Sequence, residues 1–151
     1  MKRFRFPLRP VAVLRAHHEL RAREAFAAAV HVYVQAEAEL AATRARVALC
    51  EAELYASRRD RFDASAAAEA FAAYRRECTA EATAERDVIA KRATMNQRRG
   101  DYLEAHRKLE VVNRLEEKAR DVHRLDTLRE EQIELDDFAG RRVRAPQFSH
   151  P

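Results

Sequence analysis

Three features of this 151-residue sequence predict an all-α fold, a long antiparallel two-helix coiled-coil hairpin: scarce turn residues, abundant helix formers, and a seven-residue apolar repeat with one break. The only glycines are Gly100 and Gly140, and the four prolines, Pro7, Pro10, Pro146 and Pro151, all lie near the ends. A globular domain of this length needs a turn every dozen residues or so. Alanine, arginine, glutamate and leucine dominate the proline-free interval, and these residues lose least on entering a helix.

Residues 1–10 are expected to form an N-terminal arm, in which Phe4, Phe6 and Leu8 alternate with Lys2, Arg3, Arg5 and Arg9. Pro7 and Pro10 keep it out of an amphipathic helix, which argues against a mitochondrial presequence, and Arg9-Pro10 interrupts the apolar run a signal peptide would need. The hairpin is expected over 11–140, with helix one at about 11–59 and helix two at about 64–139. In helix one, Phe26, Tyr33, Leu40, Val47 and Leu54 recur every seven residues, each followed three positions later by a small residue: Ala29, Ala36, Thr43, Cys50 and Ser57. This spacing keeps one seam against a partner helix. Upstream, Val13, Leu14 and Leu20 are expected to continue the apolar face in a shifted phase. The break falls between Arg58 and Ser65, where Asp63 or Ser65 can cap the next helix. A short connection makes the helices antiparallel neighbours.

Helix two carries Phe71, Tyr74 and Cys78, then Val88, Met95, Tyr102 and Leu109 at heptad spacing. Val112, Leu115, Ala119, Val122, Leu125, Leu128, Leu135 and Phe138 lead to Gly140, an expected C-terminal cap, before a basic flexible tail at 141–151. With a turn near residue 63, paired positions should total about 126. Phe26 would then face Gly100, whose missing side chain would make room for it, a hinge being the competing reading of this glycine. Residues beyond about 117 would outrun helix one, yet Val111, Leu115, Val122 and Ile133 form one stripe there and Leu128, Leu135 and Phe138 another. Either the arm or a partner protein is expected to cover them. The predicted object is a monomeric rod.

The charge pattern narrows the function classes. There are 29 basic and 25 acidic residues, a net charge of +4, interspersed rather than sorted to one face. Such a pattern belongs to a solvated helix surface, so no nucleic-acid partner is expected. No stretch approaches the ~20 apolar residues of a membrane span. Cys50 and Cys78 fit no metal or redox spacing and read as small buried hydrophobes with free thiols, and the location is expected to be cytoplasmic. No glycine-rich phosphate loop exists, and His17, His18, His31, His106 and His123 fit no metal-binding helix pattern. No catalytic, metal or cofactor site is expected, so the function should lie in docking to other proteins. The late carboxylates Glu130, Glu131, Glu134, Asp136 and Asp137 read simply as a solvated face, but they oppose the helix dipole at that end, so a basic partner surface is the alternative.

The two ends carry a resemblance. The opening Phe4-x-Phe6-Pro7-Leu8, with Val11, Val13, Leu14 and Arg15, resembles the start of the flagellar export protein FliJ family. The run Lys108-Leu109-Glu110, Arg114-Leu115-Glu116-Glu117-Lys118 and Glu130-Glu131-Gln132-x-Glu134-Leu135-Asp136-Asp137-Phe138-Ala139 looks like its C-terminal half. The resemblance covers essentially the whole chain. It implies a stalk of the flagellar type III export apparatus, peripheral to the inner membrane through its partners. Those partners would be the hexameric export ATPase FliI, the cytoplasmic part of the export-gate protein FlhA, and export chaperones. By position, Phe4, Phe6, Leu8, Leu14, Leu115, Glu116, Lys118, Leu128, Glu131, Leu135, Asp136 and Phe138 would face the ATPase. Tyr33, Leu40, Phe71 and Tyr74 would face the gate, although coiled-coil seam positions are the simpler reading of Tyr33 and Leu40. The stalk of a virulence-type injectisome, an RNA-binding helical arm and a homodimeric scaffold are the competing classes.

Overall fold

The computed structural model describes residues 3–59 and 63–143. Helix α1 spans Arg9–Ser57 and helix α2 spans Ala64–Val143. By its internal contacts the chain divides into two units, His18–Ala105 and Met1–His17 with His106–Pro151.

In the unit His18–Ala105, the two helices run antiparallel. Phe26 stacks on Tyr102, Arg92 reaches Tyr33, Arg44 meets Glu81 and Glu85, and Arg46 meets Glu77, so rising numbers on α1 meet falling numbers on α2. The seam of α1 follows the heptad from Phe26 and Ala29 through to Leu54 and Ser57, each residue half-buried or buried. Ala36, Val88 and Thr43 are the most enclosed, at 7%, 8% and 1% exposed. A two-helix layer can enclose little more than this, because every knob has a partner on one side only. Thr43 is a polar residue at the tightest point, and its hydroxyl is satisfied. It donates to the Glu39 carbonyl at 2.8 Å and accepts from Arg46 Nη2 at 2.9 Å. Cys50 and Cys78 are free thiols, each half-buried.

The seam does not shift phase upstream as expected. Val13, Leu14 and Leu20 are 64%, 52% and 48% exposed, while Ala12, Arg15, Glu19 and Ala22 take the half-buried heptad positions. Arg and Glu serve there because their aliphatic stems can lie along the seam with the charge outside. On α2, Glu77, Glu81 and Lys91 do the same, and Phe71 falls outside the seam at 50% exposed.

Helix ends follow local chemistry. Pro7 and Leu8 form a turn, and α1 starts at Arg9 rather than near residue 11, with Pro10 in the first helical turn. An amide there has no intrahelical acceptor, so proline loses nothing. Asp63 caps α2: its Oδ1 accepts from the Ser65 amide at 3.0 Å and its carbonyl from the Ala67 amide at 2.9 Å. Residues 60–62 of the connection lie outside the described residues, as does the tail from 144 onward. Gly140 is no cap. Helix α2 continues through it to Val143, and no glycine has a positive φ.

Nor does Gly100 make room for Phe26. A Cβ built on Gly100 meets nothing within 4 Å, and the ring of Phe26 lies instead on Tyr102, with centroids 6.1 Å apart and planes 9° from parallel. The facing residue is two positions on from the expected one, which on a helix is a different side. Gly100 therefore carries the conformational cost of glycine in a helix with no steric return. Gly100→Ala is expected to stabilise the chain by about 0.5–1 kcal/mol, read as a higher denaturation midpoint with unchanged slope.

Candidate partner-docking surfaces

In the unit formed by residues 3–17 and 106–143, the arm packs on α2 through its aromatic residues. The Phe4 ring meets His123 edge-on at 5.5 Å and 74°, and the Arg120 guanidinium lies over the same ring at 5.7 Å. Arg120 Nη2 also donates to Glu116 Oε1 at 2.7 Å, so the cation is positioned between a carboxylate and a π-face. Phe4, Phe6 and Glu116 are half-buried. Phe4, Arg5, Phe6, Pro7, Arg9, Glu116 and Arg120 line a cleft of about 350 Å³. Part of the region beyond α1 is thus covered by the arm, one of the two expected outcomes.

The cover stops near Thr127, the last half-buried residue of α2. Every described side chain from Leu128 to Arg141 is exposed, including Leu128 at 55%, Ile133 at 61% and Leu135 at 65%. Among them stand the exposed Glu131 and Asp136, the latter accepting from Gln132 Nε2 at 3.3 Å, with Phe138 at 59% exposed. Leu8, Leu14 and Leu115 are also exposed, at 41%, 52% and 45%, as is Lys118. Of the proposed ATPase-facing set, the structure therefore gathers Phe4, Phe6 and Glu116 into one cleft. The others are exposed, Leu8 in the turn before α1 and the rest on the helices.

The gate-facing set divides differently. Tyr33 is engaged within the hairpin: its hydroxyl donates to Glu37 and accepts from Arg92 Nη2 at 3.0 Å, and the Arg92 guanidinium lies 5.6 Å from the ring centre. That contact raises the guanidinium pKa further, through the hydrogen bond first and the phenol charge second. Leu40 and Tyr74 are half-buried seam residues. The Tyr74 phenol is raised above its ordinary pKa, chiefly by the neighbouring Cys78 side chain and then by Glu51. Only Phe71 offers a largely exposed ring.

The heptad passes over a second exposed set on α1, Val34, Leu49 and Tyr55, at 53%, 66% and 59%. A signal for it exists in the sequence: Val34 and Tyr55 each follow a seam residue directly, and a helix turns about 100° between neighbours. No described cluster of three His, Cys, Asp or Glu residues could hold a metal ion. Among the described residues no helix is long and apolar enough to cross a membrane.

An antiparallel two-helix hairpin with apolar side chains left outward places the chain in the class of long helical-hairpin proteins. The family model of the flagellar FliJ protein matches residues 4–147, and the chain belongs to that family. It is accordingly a component associated with flagellar export. No curated protein and no solved structure matches the chain.

Proposed function

We propose that the chain is a non-enzymatic, cytoplasmic stalk of the flagellar type III export apparatus, peripheral to the inner membrane through its partners. One end, the arm with the last turns of α2, docks into the ring of the export ATPase FliI. The opposite half of the hairpin meets the cytoplasmic part of the export gate FlhA, and the stalk escorts export chaperones.

The observation that carries this reading is the exposure of Leu128, Ile133 and Leu135 in a stretch of α2 that neither α1 nor the arm covers. Burying one such side chain in a partner is worth roughly 1.5–3 kcal/mol, and leaving several in water serves nothing in an isolated hairpin. The carboxylates interspersed with them suit a basic socket. For the gate, the exposed Phe71 is the strongest of the four candidates, since Tyr33 already commits its hydroxyl and ring to Glu37 and Arg92. The family match favours a flagellar over a virulence-type system.

Co-purification tests the reading. The full chain is expected to sediment alone as a monomer and to be retained by the assembled ATPase hexamer. Failure of the assembled hexamer to retain it would overturn the docking assignment.

A further inference from the structure

The arm's exposed cations have a chemistry the docking reading does not use. Arg3, Arg5 and Arg9 are exposed, and none forms an ion pair among the described residues. No acidic residue occurs in the sequence before Glu19. Beside these cations Leu8, Val13 and Leu14 are 41%, 64% and 52% exposed. At about 100° per residue, Pro10, Val13 and Leu14 lie on the side of α1 opposite the half-buried Ala12 and Arg15, so their side is turned away from α2. Phe4 and Phe6 turn inward to the cleft over α2, and Arg5 and Arg9 stand at its rim with their side chains exposed.

We propose that residues 3–14 form a direct contact for an anionic lipid surface, with Arg3, Arg5 and Arg9 on the headgroups and Leu8, Val13 and Leu14 in the interface below them. Exposed cations and exposed aliphatic side chains on one short segment are the pair of signals that hold a protein on a membrane without spanning it. The cations alone would suit a nucleic acid equally well. The aliphatic residues decide for lipid, because a phosphate backbone offers them nothing. No described helix can cross a bilayer, so the contact is peripheral. Leu8 and Leu14 also belong to the proposed ATPase-facing set, so the two occupants exclude each other there. The inference stands independently of the ATPase reading, since it concerns the free chain and a protein-free bilayer.

The test is sedimentation of the full chain with vesicles of phosphatidylglycerol and phosphatidylethanolamine, beside vesicles of phosphatidylcholine alone. Binding is expected to the first and not the second, and to fall steeply with added salt. The Arg5→Glu/Arg9→Glu variant is expected to weaken partitioning about tenfold or more, and Arg5→Lys/Arg9→Lys to retain it. Leu8→Ser/Val13→Ser is expected to weaken binding to the same anionic vesicles, with each variant's melting curve confirming that the hairpin is intact. Absence of binding to anionic vesicles overturns the proposal. So does binding indifferent to Leu8→Ser/Val13→Ser and matched by a DNA duplex, which would make nucleic acid the occupant.

Discussion

Replacing Leu128 and Leu135 by serine is expected to abolish retention by the export ATPase and to leave the melting temperature nearly unchanged. Both side chains are more than half exposed and lie beyond the last half-buried residue of α2, so the folded chain loses little apolar burial with them. A partner that encloses both would lose about 3 kcal/mol or more, a factor of at least about a hundred in affinity. Leu54→Ser should do the reverse, lowering the melting temperature while sparing ATPase retention, because Leu54 sits half-buried in the seam. The measurement is a pull-down beside a melting curve for each variant. If the Leu128/Leu135 variant melts early and still binds, these residues belong to the fold and the ATPase docks elsewhere.

Leu40→Ala is expected to destabilise the hairpin by about 2 kcal/mol, lowering the melting temperature by roughly 5 °C. The value sits at the low end for leucine because the site is half-buried. The comparison that gives it meaning is Val34→Ala, on the outer side of the same helix at 53% exposed, which should change stability by less than about 0.5 kcal/mol. Equal effects at the two positions would refute the seam.

The hairpin is legible in the sequence because its two dominant signals are local: a heptad needs no knowledge of the partner, and one cluster of turn and capping residues marks the break. Where sequence and structure part, the deciding fact lies on the other helix or in the backbone. Val13, Leu14 and Leu20 read as a continued core because they are apolar, yet the helix keeps its phase and gives the seam to Arg15 and Glu19. Hydropathy does not register that a long charged side chain can lie along a seam by its stem. Counting from the turn assigns Gly100 to Phe26, but a count good to two residues cannot name a facing side chain when two residues turn the helix by about 200°. A glycine suggests the end of α2, but glycine ends a helix when the chain adopts the left-handed conformation, which Gly140 does not. The exposed apolar stretch of α2 is visible as a mismatch of helix lengths. What counting could not supply is how far the arm reaches, and Phe4 on His123 answers that.

A seam that repeats every seven residues has a hidden ambiguity: sliding one helix past the other by a heptad presents the same kind of face again. Apolar contacts alone specify that the helices adhere, and only weakly where. In the unit His18–Ala105 the ambiguity is lifted around Thr43, where Arg44 reaches Glu81 and Glu85 at 3.2 and 2.9 Å and Arg46 reaches Glu77 at 3.1 Å. These carboxylates raise the pKa of both arginines, Glu85 having the largest effect on Arg44 and Glu77 on Arg46. Slid by seven in one direction, Arg44 would meet Tyr74 and Cys78, and in the other Val88 and Arg92. Arg46 would meet Ala70 or Ala84, so these grips between the helices would be lost either way. The arginines thus act as the index mark on a ruler, contributing alignment rather than adhesion. On the proposed reading, in which one end meets a ring and the other a gate, that mark matters, because an error of one heptad would shift α2 along α1 by about 10 Å.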